Sequence, residues 1–182
     1  DGFVTSNPKN VIMLTCDATG VLPPVAKLTV SQAKKMFLVG YTSKVAGTEV
    51  GVVEPELVFS PCFGAPFLPR NPSVYADMLH SLIDSTNANC WLVNTGWSGG
   101  PPGVGNRIDL TVTRKIIDSI VNEKLISSEW LYHEQTGLTI PDRIPETDFS
   151  TRPEHNWESL NDYNESASVL MGEIESKIKE IL

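Results

Sequence analysis

Apolar and polar positions alternate in blocks that switch period along the chain. Residues 10–17 (NVIMLTCD) are an apolar run ending on an acid, followed by Ala18-Thr19-Gly20, which predicts a buried strand meeting a turn. Pro23-Pro24 then holds the chain extended. A start signal at 29–31 opens a helix that runs to Gly40, with Ala33, Phe37 and Leu38 on a partly apolar face. Residues 57–59 are short and extended, and residues 61–67 (PCFGAPF) are a small, aromatic stretch broken by two prolines. Asn71-Pro72 pairs an N-cap residue with Pro at the first helical position, and Val74, Met78, Leu79, Leu82 and Ile83 follow at helical spacing. Residues 87–89 end that helix. Residues 90–93 (CWLV) predict a second buried strand, and the order strand, helix, strand marks an α/β architecture.

A Gly/Pro-rich loop, 94–106 (NTGWSGGPPGVGN), follows that strand directly. It leads through Arg107 into a helix expected to be capped near Thr111, with Ile116, Ile117, Ile120 and Val121 on one face. Residues 130–146 read as irregular. The C-terminal stripe of Trp157, Leu160, Val169, Leu170, Ile174, Ile178 and Leu182 predicts an amphipathic helix or helix pair over about 155–182. The strands at 11–15 and 90–93 are apolar on both faces and are expected in the centre of a sheet, beside strands that this sequence does not hold.

Candidate chemistry gathers at the loop. Residues 100–107 (GPPGVGNR) have the glycine spacing of a phosphate-binding G-x-x-x-x-G-K-[ST] loop, but Asn106 stands where the Lys belongs and Arg107 where the Ser or Thr belongs. It is not such a loop. Two uses remain open, a plain turn or close backbone approach to a flat ligand. In the second, Arg107 stacks on a purine, Ile108 covers an apolar face, and Thr113 offers a hydroxyl. The bland counterpart is a solvated Arg beside a core Ile.

Composition narrows the partners. The 182 residues are 41% apolar and 20% charged, as expected of one ordinary domain, and a net charge of −8 repels nucleic-acid backbones. No apolar run approaches the length of about 20 residues that a membrane helix needs. Cys16, Cys62 and Cys90 show no paired spacing and are expected as reduced, small buried hydrophobes in an intracellular, cytoplasmic protein. His80, His133 and His155 have no ligand spacing, so no metal site is expected within the chain. The start at Asp1-Gly2-Phe3 shows neither Met nor a secretory signal and suggests an excised or processed piece.

Three long strings, 10–29 (NVIMLTCDATGVLPPVAKLT), 40–68 (GYTSKVAGTEVGVVEPELVFSPCFGAPFL) and 92–120 (LVNTGWSGGPPGVGNRIDLTVTRKIIDSI), resemble the ATP-dependent phosphoenolpyruvate carboxykinase family in the family's own order. The resemblance implies that residues 1–182 are the C-terminal part of that family's P-loop nucleotide-binding domain, an α/β fold with a mixed sheet and flanking helices. It implies the gluconeogenic conversion of oxaloacetate and ATP to phosphoenolpyruvate, ADP and CO2, with Mn2+ or Mg2+ held by ligands upstream of this chain. The family's adenine and ribose contacts fall on Arg107, Ile108 and Thr113, and the aromatic residue beside the CO2 position falls on Phe67. Its lid falls on residues 46–55. The phosphate-binding loop and the substrate arginines are expected upstream, so the upstream half of the same enzyme is an implied partner and a homo-oligomer is open. On this reading the isolated chain is inactive. The alternative is a non-catalytic module that associates through its C-terminal helix.

Overall fold

The computed structural model describes residues 6–44 and 55–182. The lid expected over 46–55 therefore lies outside the described residues, apart from Pro55. In chain order the elements are β1 (Asn10–Thr15), β2 (Val25–Leu28), α1 (Val30–Val39), β3 (Tyr41–Lys44), β4 (Glu56–Phe59), α2 (Pro72–Thr86), β5 (Asn89–Asn94), β6 (Trp97–Ser98), β7 (Asn106–Arg107), α3 (Leu110–Val121), β8 (Trp130–His133), β9 (Leu138–Pro141) and α4 (Leu160–Ile181). Among the described residues the main sheet has five strands in the order β1-β5-β2-β9-β8. β1 and β5 run parallel, whereas β2 pairs antiparallel with both β5 and β9, and β8 antiparallel with β9. It is a mixed α/β fold.

Local signals explain where the helices begin and end. Thr29 and Gln32 form a reciprocal capping box at the start of α1, and Gly40 closes it in the left-handed conformation (φ 55°). The Asn71 side chain accepts from Ser73 N (2.9 Å) with Pro72 at the first position of α2, and Asn87 ends that helix with φ 55°. Helix α3 is capped near Thr111 as expected, by Asp109, whose carboxylate accepts from both the backbone and the hydroxyl of Thr111. Helix α4 starts at Leu160 and not near 155, since Pro153–Asn156 forms a 3-10 turn and Ser159 supplies the cap.

The core lies on both faces of the sheet. Met13, Ala26, Leu28 and Leu92 pack with Ala33 and Val39 of α1 and with Tyr163, Ala167, Leu170 and Ile174 of α4. On the opposite face Val25, Trp91 and Val93 pack with Val112, Ile116 and Ile120 of α3, closed by Leu125 and Ile144.

Several expectations need correction. β5 is central as predicted, but β1 is an edge strand, since among the described residues β5 is its one ladder partner. Residues 130–146 are not irregular: β8 and β9 form a hairpin whose turn uses Gly137 at φ 65°. Met78, Leu82, Val121 and Val169, counted on inward stripes, are exposed, because each helix buries a narrower stripe than its apolar residues could fill. Of the cysteines only Cys90 is buried; Cys16 and Cys62 are half-buried, and all are free.

Candidate functional site

One buried carboxylate organises the loop that leaves the C-terminal end of β1, and Asn94 ties that loop to the end of β5. Asp17 is fully buried and accepts five hydrogen bonds: from Thr19 N (2.8 Å) and Thr19 Oγ1 (2.6 Å), Val21 N (2.8 Å), Leu22 N (2.8 Å) and Tyr41 OH (2.7 Å). Five donors replace the water that the charge lost on burial. Burial and the adjacent Asp17 charge push the Tyr41 hydroxyl well above its ordinary range, so it stays protonated and keeps donating. Asn94, at the end of β5, accepts from Asp17 N (3.0 Å) and Gly96 N (2.8 Å) and donates to Leu22 O (3.1 Å). The two strand ends are thereby locked in register.

The Gly/Pro-rich run is the loop of a β-hairpin. β6 and β7 pair antiparallel, with Trp97 opposite Arg107 and Ser98 opposite Asn106, and the glycines lie between them. Gly99, Gly100 and Gly103 have φ of 79°, 127° and 88°, values that side chains with a Cβ rarely adopt. The close backbone approaches they permit are within the protein: a Cβ on Gly20 would lie 2.6 Å from the backbone N and O of Gly100, and one on Gly105 would strike the carbonyls of Gly100 and Ser98. Of the two uses left open by the sequence, the tight turn is the one these glycines serve.

What the hairpin presents is Arg107. Its guanidinium carbon lies 5.5 Å from the centre of the Trp97 ring, and its Nε donates to Thr95 O (3.2 Å). The guanidinium sits over the indole within cation–π reach, and the side chain is exposed. Trp97 was not singled out from the sequence, although the pairing of a Trp and an Arg across a Gly-rich loop was a legible signal. Cys16 sits nearby: burial pushes its thiol up, and the positive charge of Arg107 works against that shift. Ile108 belongs to the core beneath, with its N donating to Gly96 O (2.8 Å). Thr113 is half-buried in the first turns of α3. Arg107, Ile108 and Thr113 thus lie along the corner where β7 runs into α3, with Arg107 alone exposed.

Phe67 belongs to neither the hairpin nor α3. It lies in the second of two 3-10 turns, Pro61–Phe63 and Ala65–Phe67, and is 86% exposed. The turns are strained, with Cys62 and Phe63 at φ 54° and 56°, and are pinned where Ser60 O lies against Gly40.

A cleft of about 830 Å³ opens on another side of the loop, between Ala18-Thr19, Pro101-Pro102 and the α4 residues Glu165, Val169 and Glu173. Arg107, Ile108 and Thr113 do not line it, and its two glutamates oppose a polyanion. Sequence reasoning also passed over His133, which is buried and bonded through Nδ1 to Thr136 Oγ1 (2.8 Å) and through Nε2 to Glu154 (3.1 Å), with Tyr163 OH at 3.3 Å. This cluster ties β8 to α4. Among the described residues no three His, Cys, Asp or Glu side chains converge as metal ligands.

Fold and site together define an α/β chain whose parallel strand pair, β1 and β5, leads into a buried carboxylate lock and an Arg–Trp pair. Residues 2–150 match the phosphoenolpyruvate carboxykinase family of the ATP-dependent type, and the chain belongs to that family. It is 48% identical over 168 residues to the phosphoenolpyruvate carboxykinase (ATP) of Mesorhizobium japonicum, covering 92% of this chain and 31% of that protein. To the protein of the same name from Staphylococcus haemolyticus it is 48% identical over 178 residues, covering 96% of this chain and 33% of that protein. With that of Methylobacterium nodulans the identity is 44% over 174 residues. The chain spans about a third of the length of the curated relatives it matches, their C-terminal part. Among the described residues no helix is long and apolar enough to cross a membrane.

Proposed function

We propose that this chain is the adenine- and ribose-facing wall of an ATP-dependent phosphoenolpyruvate carboxykinase that converts oxaloacetate and ATP to phosphoenolpyruvate, ADP and CO2. The observation that carries the reading is the Arg107–Trp97 stack at the C-terminal ends of a parallel strand pair, the place where open α/β sheets hold ligands. On this reading the indole and Thr95 O restrain the guanidinium on one side, which leaves its other side open to a purine at reduced entropic cost. Thr113 adds a hydroxyl for a ribose or base edge, and Ile108 fixes the corner from below. Phe67 is assigned to the CO2 side and residues 46–55 to the lid on family resemblance.

ATP fits this corner at its base end only. The triphosphate needs cations and a divalent metal to neutralise charge as it develops, and the described residues supply no metal ligand set. On this reading those groups belong to the part of the family that this chain does not span, within a P-loop domain completed by that part. No step of the phosphoryl transfer is assigned to the residues here. The rival reading, an association module working through the C-terminal helix, is disfavoured because α4 turns Tyr163, Ala167, Leu170 and Ile174 into the chain's own core.

The test is calorimetric titration of ATP into a chimera, the Staphylococcus haemolyticus relative with its matching part replaced by this chain. Arg107→Ala is expected to weaken binding by about 2- to 30-fold, the range of a stacked cation. Unchanged affinity would reduce Arg107 to a surface charge.

A further inference from the structure

Three short pieces of chain meet beside Arg107, and each touches the other two. The first is the β6–β7 hairpin, with two residues a side, a ribbon too short to hold its own place. The second is the loop after β1. The third is the 3-10 turn Pro153–Asn156 that precedes α4. Hairpin and loop are tied where Trp97 N donates to Asp17 O (2.7 Å) and where Gly20 lies so close to Gly100 that a Cβ on Gly20 would come within 2.6 Å of its backbone. Turn and hairpin are tied where Asn156 Nδ2 donates to Ser98 Oγ (2.8 Å) and where a Cβ on Gly99 would approach the Asn156 carbonyl to 2.6 Å. Trp157 closes the triangle by donating its Nε1–H to Gly20 O (3.0 Å), and Tyr163 OH, near the start of α4, donates to Val21 O (3.2 Å).

The turn has a fixed base. Pro153 is buried, the Trp157 ring meets Tyr163 edge-on with 5.6 Å between centres, and Glu154 bonds the buried His133 (3.1 Å). Asn156 itself is exposed, and its bond to Ser98 joins two neutral side chains, the kind whose net contribution to stability is small. What that bond fixes is a direction. Neighbouring residues of a strand point to opposite faces, so the hold on Ser98 sets the roll of β6 and with it the aim of Trp97, whose indole centre lies 5.5 Å from the Arg107 guanidinium carbon.

We propose that Asn156 is a positioning residue for the corner that presents Arg107: its bond to Ser98, with Trp157 gripping the neighbouring loop, fixes the hairpin in the orientation in which the guanidinium meets a ligand. Asn156 acts through Ser98 and Trp97, and not by contact with the base. The consequence for ATP rests on the carboxykinase reading above; the geometry of the clamp does not.

A double-mutant cycle in the chimera tests it, read by calorimetric titration of ATP. Asn156→Ala should weaken binding about 3- to 10-fold, the range of one neutral hydrogen bond, and Ser98→Ala, which removes the same bond from the other side, should match it within about 2-fold. In the Arg107→Ala background Asn156→Ala should add less than about 1.5-fold, because its effect passes through the guanidinium. A general loosening of the fold would weaken binding by the same factor in both backgrounds, and that result would overturn the proposal. So would unchanged affinity for Asn156→Ala where Arg107→Ala binds more weakly. If Arg107→Ala leaves the affinity intact, or the chimera does not fold, residue-resolved amide exchange on this chain decides. There Asn156→Ala should speed exchange at Trp97 and Ile108, whose N–H groups anchor the hairpin, at least about 10-fold, while Leu92 and Val93 of β5 change less than about 2-fold. Equal rates at Trp97 and Ile108 would overturn the clamp whatever ATP does. Faster exchange there, beside an ATP affinity that ignores Arg107, would sink the nucleotide reading and leave the clamp standing.

Discussion

Gly96 lies flat against Asp17, so that a Cβ built on Gly96 would fall among the backbone N, C and O of Asp17. The two residues follow β5 and β1 respectively, and their contact sets how closely the two loops leave the sheet. Gly96→Ala is therefore expected to destabilise the chain by about 3 kcal/mol, at the upper end of overpacking costs. Gly172, inside α4 with open space around it, should respond in the opposite way: Gly172→Ala gains about 0.5–1 kcal/mol from helix propensity. Urea unfolding of the two variants checks both signs.

Asp17→Asn tests the lock itself. The amide would aim N–H donors at a site that already holds five donors, and the peptide N–H groups of Val21 and Leu22 would compete for one weaker acceptor. A loss of about 3 kcal/mol is expected, since hydrogen bonds to a charged acceptor are the stronger kind and their buried donors would be left unsatisfied. Thermal unfolding measures it; a change below about 0.5 kcal/mol would show that the five bonds contribute no more than solvent does.

Trp97 should report on Arg107. Because the guanidinium sits 5.5 Å from the indole centre, ATP binding against the outer face of Arg107 is expected to change Trp97 fluorescence in the chimera, and Trp97→Leu should weaken binding about 2- to 10-fold by releasing the guanidinium from its plane. Chimera variants with the other tryptophans replaced by Phe isolate the signal. A nucleotide that binds without altering it would place the base elsewhere.

Stability should decline in alkali before any acidic limit of this kind is met. Burial raises the Cys90 thiol from an ordinary value near 9 to about 11, and it pushes the Tyr41 and Tyr163 hydroxyls well above 10. Each group keeps its proton in the folded chain above the pH at which the unfolded chain releases it. Their stabilising contribution is thus complete below about pH 9 and is lost progressively as pH rises from there, first through Cys90 and then through the tyrosines. Urea midpoints at pH 8, 9.5 and 11 check the slope, and Tyr163→Phe should flatten its upper part.

The isolated chain is expected to form no phosphoenolpyruvate from oxaloacetate, ATP and Mn2+. In-line transfer needs metal ions bridging the phosphates and cations facing the developing charge, and the described residues assemble no such ligand set. A coupled assay on the pure chain gives the answer, and turnover would relocate the catalytic groups into this sequence.

Local chemistry made much of this protein legible in one dimension. The caps at Thr29 and Asn71, the left-handed stops at Gly40 and Asn87, and the apolar runs of β1 and β5 depend on residues within a few positions of one another, so their signals survive in the sequence. The family strings carried the rest of the identification. What the sequence could not show is set by contacts over long separations. The β8–β9 hairpin is short and gains its place from β2, the stripes of α2 and α4 are trimmed by what the sheet leaves uncovered, and Asp17 becomes a lock only when Tyr41 and Asn94 arrive from 24 and 77 residues away. The Arg107–Trp97 pair is local by contrast, set opposite each other by one glycine hairpin, and was legible in the sequence. Residue type and spacing determine which elements can form; which of their faces are buried, paired or left open is decided by the three-dimensional competition for apolar area and hydrogen-bond partners.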